Sequence, residues 1–302
     1  MLSLHTNAAA LSAQNSISRT QMSLSTSQTR LSTGFRVNSA MDDAAGLQIA
    51  TRLKAQSSGM AMAMRNTQNS ISMLQTAEGA FDEVTTMLTR MKDLATQAAD
   101  ASSTAKDQAA LQSEFDALGS ELNNVMKNTT FGGAKLLDGG TIASAMTFQI
   151  GATKSETMSI DLSVAMTALT GTALTAVSAR YAAGGSAVGS EISDGTDGTA
   201  AGATNTTGQT NANNAIDTIT TAIDQVGGVR SSLGAAANRL DHVYNNLSNI
   251  STNTKAATGR IMDTDFASES SNMTSSQMLL QAGTAMLKQS NSTSSLVMSL
   301  LQ

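Results

Sequence analysis

The sequence predicts a mainly α-helical protein: an elongated bundle of long helices whose N- and C-terminal segments pack as coiled coils, with a small β-hairpin region. Three observations predict this fold class. Apolar residues recur three and four positions apart over long stretches near both ends of the chain. The 302 residues include 0 Pro, the strongest breaker of a helix interior. Only 3% are aromatic, whereas 18 are Met, and small or unbranched side chains suit helices packed closely side by side.

The N-terminal third carries the first helical pattern. Leu4 and Leu11 are seven residues apart, and so are Ile17, Leu24 and Leu31, with one slip of register between the two runs. A helix over roughly 45–100 would be about 80 Å long at about 1.5 Å per residue, which predicts a rod-shaped molecule. A further helical stripe runs from Leu111 to Val125.

The C-terminal third has the clearest periodicity. From Ile216 to Leu247 the stripe alternates three and four apart, with Arg230 as one charged interruption. Its members are Ile216, Ile219, Ile223, Val226, Arg230, Leu233, Ala237, Leu240, Tyr244 and Leu247. Further on, Phe266, Met273, Leu280 and Leu287 sit seven apart, and Leu301 falls in the same register. We therefore expect the first third of the chain to pack on the last third.

The middle of the chain differs from both ends. The apolar runs Ala134–Leu137 and Met146–Ile150 flank Asp138–Thr141, which predicts a hairpin with its turn there. Thr157–Leu162 is a candidate for an additional strand. Residues 184–210, dense in Gly, Ser and Thr, predict a surface loop or a small insert.

Composition excludes several classes of partner and site. The net charge of -5 argues against nucleic acid or an anionic membrane as the main partner. No stretch approaches the roughly 20 apolar residues of a membrane span. With 0 Cys there is neither a disulfide framework nor a thiolate metal site. Met1–Asn7 lacks the basic and apolar regions of a secretory signal, so that composition alone favours a cytoplasmic protein.

Catalytic constellations are scarce. The two histidines, His5 and His242, form no zinc motif, and we predict no catalytic, cofactor-binding or metal-binding residue and no cofactor. Asp42–Asp43 could be read as paired carboxylates for acid–base chemistry. Helix capping is the stronger interpretation, because the pair precedes a helical run, and Asp263 and Asp265 are interpreted in the same way. The sequence therefore predicts a protein that is not an enzyme.

Several blocks resemble the bacterial flagellins. Leu31–Leu47 (LSTGFRVNSAMDDAAGL) is similar to the family's turn and its Asp-Asp-Ala-Ala-Gly signature. Further similar blocks follow in family order at Gln75–Ala80, Phe131–Leu137, Leu233–Leu240, Arg260–Ala267, Gln281–Thr284 and Leu296–Leu301. The start Leu2–Asn7 and the short middle region look most like flagellins of the lateral type.

The resemblance implies a structural subunit that self-assembles into the flagellar filament for motility. Residues 1–42 and 260–302 would form the inner coiled-coil core of the filament, residues 43–175 and 211–259 a helical rod with a β-hairpin, and 176–210 a short variable outer segment. Export unfolded through the flagellar type III channel would place the protein outside the cell. The implied partners are further copies of the chain, a flagellar secretion chaperone, and the filament cap and hook-junction proteins.

The polymerisation core predicted from the terminal seams consists of apolar residues at seven-residue spacing. These are Leu4, Leu11, Ile17, Leu24, Leu31, Phe266, Met273, Leu280, Leu287 and Leu301. The remaining terminal residues are mostly Ser, Gln, Asn and Ala, which bury too little in one subunit to offset the entropy of ordering. We therefore expect the ends to be disordered in the monomer and to fold on assembly.

A second implied site concerns a host receptor. Arg90, Leu94, Gln97 and Glu114 match positions by which many flagellins engage the vertebrate flagellin-sensing Toll-like receptor. The first three, at i, i+4 and i+7, share a helical face. The alternative is that this face serves protofilament packing. Rival readings of the whole chain are a hook–filament junction or cap protein, and a soluble coiled-coil adaptor.

Overall fold

A computed structural model describes residues 7–185, 189–195 and 205–300, with the side chains of 205 and 293–300 left out. The chain divides into two compact units. The first, called the terminal unit below, comprises residues 1–58 and 250–302, and the second, the central unit, comprises residues 59–249. These boundaries come from contacts within the chain, and the three-part division given above remains a prediction.

Long helices dominate both units, as the sequence predicted. They are α1 (Ala8–Thr33), α2 (Ala44–Ala98), α3 (Ala105–Asn128), α7 (Asn205–Met262) and α8 (Phe266–Leu300). With 55 residues, α2 is about 80 Å long. Three short helices, α4 (Ser163–Ala168), α5 (Leu174–Val177) and α6 (Ala179–Ala182), lie between the strands and α7, with a π-helical segment at Leu169–Ala173.

Local side-chain chemistry sets the ends of these helices. The Asp43 carboxylate accepts the Gly46 amide at 2.8 Å and caps α2, as expected. Asp42 instead accepts the amides of Asn38 and Ser39 in the preceding turn. These hydrogen bonds from backbone amides lower the pKa of the Asp42 carboxyl, Ser39 contributing most. Both aspartates therefore hold local backbone, but only Asp43 caps the helix as predicted.

The strand pairing differs from the predicted hairpin. β1 (Thr130–Phe131) pairs antiparallel with β2 (Ala134–Lys135) around Gly132 and Gly133, whose positive φ angles suit a two-residue hairpin loop. β3 (Met146–Gln149) pairs with β4 (Thr157–Ile160), which confirms the additional strand. The hairpin turn predicted at Asp138–Thr141 is wrong.

The run after Lys135 packs into the core instead of forming a strand opposite β3. Leu136, Leu137 and Ile142 are at most 1% exposed, and a 3-10 turn at Thr141–Ala143 connects them to β3. Burial of these three side chains outweighs the pairing that the alternation of apolar runs suggested.

The core of the central unit is formed largely by α2, α3 and α7. Its largest fully buried side chains include Phe81, Phe115, Leu88 and Leu122. On α7 the buried positions are Ala212, Ala215, Ile219, Ala222, Val226, Val229, Leu233, Ala236 and Leu240. At every second position of the predicted stripe, the buried residue is therefore the one immediately before the predicted residue. Val229, not Arg230, faces the core, and the expected charged interruption does not exist.

The described part of 184–210 is not simply a surface loop. Ile192 is 0% exposed and Ser193 2%. The Asp116 carboxylate of α3 accepts the Gly189 amide, and the Gln112 side-chain oxygen accepts the Ile192 amide at 2.8 Å. Polar groups buried in α3 thus hold this segment against the central unit, since each satisfies a backbone donor that would otherwise be buried unpaired.

Candidate assembly surface

Two long helices of the terminal unit, α1 and α8, pack against each other. Near one end of α1 the side-chain nitrogen Nδ2 of Asn7 donates a hydrogen bond to the backbone carbonyl of Ser290 at 3.3 Å. Near the other end the Ser27 hydroxyl donates to Glu269 at 2.5 Å. Residue numbers on α8 fall as those on α1 rise, so the two helices run antiparallel.

Partly or fully buried residues recur three and four apart on both helices. On α1 this seam comprises Ala10, Ala13, Ile17, Thr20, Leu24, Ser27 and Leu31. On α8 it comprises Glu269, Met273, Ser276, Leu280, Gly283, Leu287 and Ser290. The pattern is the heptad seam of a coiled coil, but about half of its positions carry small or polar side chains.

Most, but not all, of the predicted polymerisation residues belong to this seam. Ile17, Leu24, Leu31, Met273, Leu280 and Leu287 do. Leu11 is 61% exposed and Phe266 58%, so neither does; Ala10 and Glu269 take the neighbouring seam positions. The slip of register expected after Leu11 therefore disappears. Leu4 and Leu301 lie outside the described residues.

The turn between α1 and α2 meets the turn between α7 and α8. Gly34 ends α1 with φ of 75°, the left-handed conformation that favours glycine. Phe35 and Asp263 form an isolated antiparallel bridge, and the Thr264 amide donates to the Gly34 carbonyl at 3.0 Å. These backbone hydrogen bonds join the two halves of the terminal unit at one end of the coiled coil.

Of the two aspartates before α8, Asp265 is the one that caps the helix. It accepts the Ala267 amide at 3.0 Å and the Ser268 hydroxyl at 2.8 Å. The hydrogen bond from the Ser268 hydroxyl is the main reason why the pKa of the Asp265 carboxyl is lowered. Asp263 lies in the bridge with Phe35 instead.

The terminal unit buries very little apolar surface. Among its described side chains, only two apolar ones, Val37 and Ala50, are buried. A second set of large apolar side chains on the paired helices faces solvent at 58% to 67% exposure: Leu11, Met22, Phe266, Met278, Leu279 and Met286. Leu11 and Met22 are three turns apart and share one face of α1, and Leu279 and Met286, seven apart, share one face of α8. Each helix of the pair thus carries apolar surface that the pair itself leaves uncovered.

Sequence reasoning missed part of this arrangement. Met22, Met278, Leu279 and Met286 fall between the seven-residue repeats and were not singled out. Ser27 and Glu269 are polar and belong to none of the predicted apolar repeats. The signal for Glu269 was its spacing, four residues before Met273 in an otherwise regular seam.

The residues matched to receptor engagement lie in the central unit and are only partly accessible. Arg90 and Glu114 join α2 to α3 by an ion pair of 2.6 Å, with half-exposed side chains. Gln97 is exposed. Leu94 is 1% exposed and packs in the core, so it supports this face from beneath.

No catalytic or metal centre stands out among the residues described. Nowhere do three His, Asp or Glu side chains gather in a way that could hold a metal ion. His242 is exposed on α7, and His5 lies outside the described residues. Within the same part of the chain, no helix combines the length and apolarity needed to cross a membrane.

Comparison with known proteins identifies the family of these helices. The family profile described as "Bacterial flagellin N-terminal helical region" matches residues 4–141, and that described as "Bacterial flagellin C-terminal helical region" matches residues 216–301. Together they span both units and leave the middle of the chain unmatched.

Similar proteins occur in Vibrio. "Flagellin A" of Vibrio anguillarum is 34% identical over 379 aligned positions that cover 100% of both chains. "Polar flagellin B/D" of Vibrio parahaemolyticus is 33% identical and covers 99% of both. A solved flagellar hook-associated protein from Vibrio parahaemolyticus has a TM-score of 0.57 at 17% identity, covering 74% of this chain and 100% of that one, which indicates a shared fold.

Proposed function

The chain belongs to the bacterial flagellin family, whose members are structural proteins and not enzymes, and we propose that it polymerises through its two ends into the flagellar filament. The domains predicted for a filament subunit, an inner coiled coil from 1–42 and 260–302, a helical rod and a short outer segment, are part of this proposal. So is the narrower likeness to lateral-type flagellins.

One observation carries the proposal: the apolar faces of α1 and α8 that the paired helices leave exposed. Burying one such Leu or Met side chain stabilises an interface by about 1.5–3 kcal/mol. Large apolar side chains that share an exposed helix face are typical of an interaction surface. Further copies of the same chain would cover it repeatedly, because contacts between different patches of identical subunits generate an open helical polymer.

The same observation supports the prediction that the terminal helices become ordered when subunits assemble. A seam in which small or polar residues alternate with apolar ones buries little, whereas fixing each backbone residue costs about 1–2 kcal/mol. In an isolated subunit the coiled coil is therefore marginal, and neighbouring subunits supply the missing burial. A chain with marginal ends is also suited to passage, unfolded, through the flagellar type III channel to an extracellular filament.

The proposed partners follow from these surfaces. A secretion chaperone would cover the apolar face of α8, including Met278, Leu279 and Met286, before export. The filament cap and hook-junction proteins would meet the terminal helices at the ends of the filament. Recognition by the vertebrate flagellin-sensing Toll-like receptor would use the exposed Arg90, Gln97 and Glu114, with Leu94 holding the face in place.

The decisive experiment is seeded polymerisation followed by electron microscopy. We expect the triple variant Leu11→Ser/Leu279→Ser/Met286→Ser to lose elongation, because three side chains that neighbours would bury become polar. The matched control is Val164→Ser, since Val164 is an 82% exposed apolar residue of the central unit. It should elongate normally. A triple variant that elongates like the unaltered chain would refute the proposal.

Amide hydrogen exchange tests the order of the ends. In the monomer, α1 and the described part of α8 should exchange within seconds to minutes, and in the polymer they should be protected. Strong protection of residues 7–33 and 270–292 in the monomer would contradict folding on assembly.

Receptor engagement has its own test. We expect Arg90→Ala to lower receptor signalling by the soluble subunit, with Asp82→Ala as a control that also removes an exposed ion-pair partner of α2. Undiminished signalling by Arg90→Ala, together with impaired polymerisation, would assign this face to protofilament packing instead.

A rival within the flagellar proteins is a junction or cap protein that shares the fold. The full-length similarity to curated flagellins favours the filament subunit over this rival. A purified chain that binds filament ends but never elongates them would favour the rival.

A further inference from the structure

Among the described side chains of the coiled coil of α1 and α8, one charged residue is buried. Glu269 occupies a seam position and is 8% exposed, facing Ser27, which is 6% exposed. One of its carboxylate oxygens, Oε1, accepts a hydrogen bond from the Ser27 hydroxyl at 2.5 Å. The other, Oε2, lies 3.6 Å from a guanidinium nitrogen of Arg30. A buried carboxylate is costly unless it is paired in this way.

The apolar residues of the seam do not define the register of the two helices. The contacts Ser27–Glu269 and Asn7–Ser290 place Leu24 beside Met273 and Ile17 beside Leu280. Leu287 then faces the small Ala10. The same alignment places Leu31 beside Phe266, which is 58% exposed, so three pairs of large apolar residues result among the described side chains.

A shift of one heptad would retain the same number of large apolar pairs. Leu31 would meet Met273, Leu24 would meet Leu280, and Ile17 would meet Leu287. That arrangement also has three large apolar pairs, because both helices repeat every seven residues. Apolar pairing alone therefore does not distinguish the two registers.

The polar residues oppose that shift. Glu269 would move away from Ser27 and Arg30 and lie opposite Gly34, at the C-terminal end of α1. The partial negative charge of a helix C-terminus disfavours a carboxylate there. A single buried polar residue is known to select one register among otherwise equivalent ones in coiled coils.

We infer that Glu269, held by Ser27 and Arg30, is the positioning residue that sets the register of the terminal coiled coil. It selects one alignment between two that the apolar residues alone leave equivalent. The register in turn determines which exposed apolar residues of α8 lie level with those of α1, and the importance of this alignment for polymerisation rests on the proposed assembly into a filament.

Disulfide cross-linking of the full-length chain measures the register directly, since the 0 native Cys leave only introduced thiols to react. Thr20→Cys/Ser276→Cys is one heptad along from the Ser27–Glu269 contact and reports the observed register. Ala13→Cys/Ser290→Cys reports the shifted one. The two registers differ by about 10 Å, far more than the tolerance of a disulfide.

We expect the observed-register pair to cross-link in the unaltered background and the shifted-register pair to cross-link poorly. Glu269→Leu should raise the ratio of shifted to observed cross-links by about tenfold or more, because it removes both the contacts with Ser27 and Arg30 that favour the observed register and the charge that opposes the shifted one. Ser27→Val, which removes the donor from the other helix, should act in the same direction. The double variant Arg30→Glu/Glu269→Arg, which exchanges the two charges and keeps the ion pair, should retain the observed register, unlike the single variants.

Ser275→Leu is the matched control, since Ser275 is an exposed residue of α8 outside the seam. It should leave the ratio unchanged. The inference is overturned if Glu269→Leu and Ser27→Val keep the original ratio of cross-links, in which case the backbone bridge at Phe35–Asp263 sets the register. It is also overturned if Ser275→Leu changes that ratio as much as Glu269→Leu does. Cross-links are to be quantified in soluble and pelleted fractions. A chain that cross-links as expected but never elongates would refute the proposed function and leave this inference standing.

Discussion

The central and terminal units use the same heptad repeat with very different amounts of buried apolar surface. On α7 the positions between the large apolar residues are Ala215, Ala222, Val229 and Ala236. At the corresponding places α8 has Glu269, Ser276, Gly283 and Ser290, and α1 has Ala13, Thr20 and Ser27. The central unit therefore has a continuous core from Leu74 to Leu240, whereas the described side chains of the terminal unit include only two buried apolar residues.

This difference teaches that periodicity and stability are separate properties of a helical pair. A regular repeat determines which face of a helix meets its partner. The residues at every second seam position determine whether that meeting is stable without further partners. In the central unit they are apolar and the core is closed, while in the terminal unit the large apolar groups are divided between the seam and the outer faces.

The largest expected difference between the units comes from truncating one seam residue in each. Phe115→Ala in the central unit should lower the free energy of unfolding of the monomer by about 3–5 kcal/mol, since Phe115 is 0% exposed. Leu24→Ala in the terminal unit should cost about 1 kcal/mol or less, because this side chain is only half-buried. Urea unfolding followed by circular dichroism measures both. Equal losses would contradict the comparison.

A buried polar group should matter more than an exposed one. Asp116 is 4% exposed and accepts the Gln112 amide nitrogen at 2.9 Å as well as the Gly189 amide. Asp116→Ala should lower the free energy of unfolding by about 2–4 kcal/mol, because the buried Gly189 amide loses its acceptor and Arg180 loses its ion-pair partner. Asp82→Ala removes an exposed ion pair with Arg230 at 3.0 Å and should cost less than about 1 kcal/mol. If both variants melted alike, the network around Asp116 would have no structural role.

Helix caps offer a smaller test. Thr104 caps α3 in a reciprocal pair with Asp107, and Thr104→Ala should destabilise the monomer by about 1 kcal/mol. Asn7 caps α1 through the Ala10 amide at 3.1 Å. Asn7→Ala should leave thermal unfolding of the monomer unchanged, since α1 is proposed to become ordered on assembly. A drop of equal size in both melting temperatures would show that α1 is already stable in the monomer.

The smallest effect is expected at Tyr181. Its buried hydroxyl has no hydrogen-bond partner among the residues described, and burial, together with the nearby Asp138 charge, raises the pKa of this phenol. A raised pKa gives stability that is present below the unfolded value of about 10 and is lost as pH rises beyond it. Tyr181→Phe should therefore be neutral or slightly stabilising at pH 7 and should reduce the loss of stability above pH 10. Thermal unfolding at both pH values measures this, and a destabilised variant at pH 7 would indicate that the hydroxyl has a partner.

Much of the fold could be predicted from residue patterns alone. The absence of proline and the three-and-four spacing predicted long helices, and α2 begins at the residue after the predicted cap, Asp43. Local signals of this kind survive because capping and periodicity depend on neighbours within a few residues.

The errors arose where side-chain size was used as a guide to burial. The pattern favoured Ile216 and Ile223 over Ala215 and Ala222, and it favoured Leu11 over Ala10. Where two helices lie close together, only small residues fit at the centre of the contact, and larger residues pack beside them. Spacing alone cannot distinguish these two arrangements, since they differ by one residue.

The sequence by itself determined the helical fold class, the family and the chemistry of the helix ends, because each depends on residues that lie close together along the chain. Only the tertiary structure decided the strand pairing, the one-residue displacement of the seams and the placement of Glu269 between Ser27 and Arg30. These depend on contacts between segments far apart in sequence, where the need to pair a buried carboxylate selects one alignment.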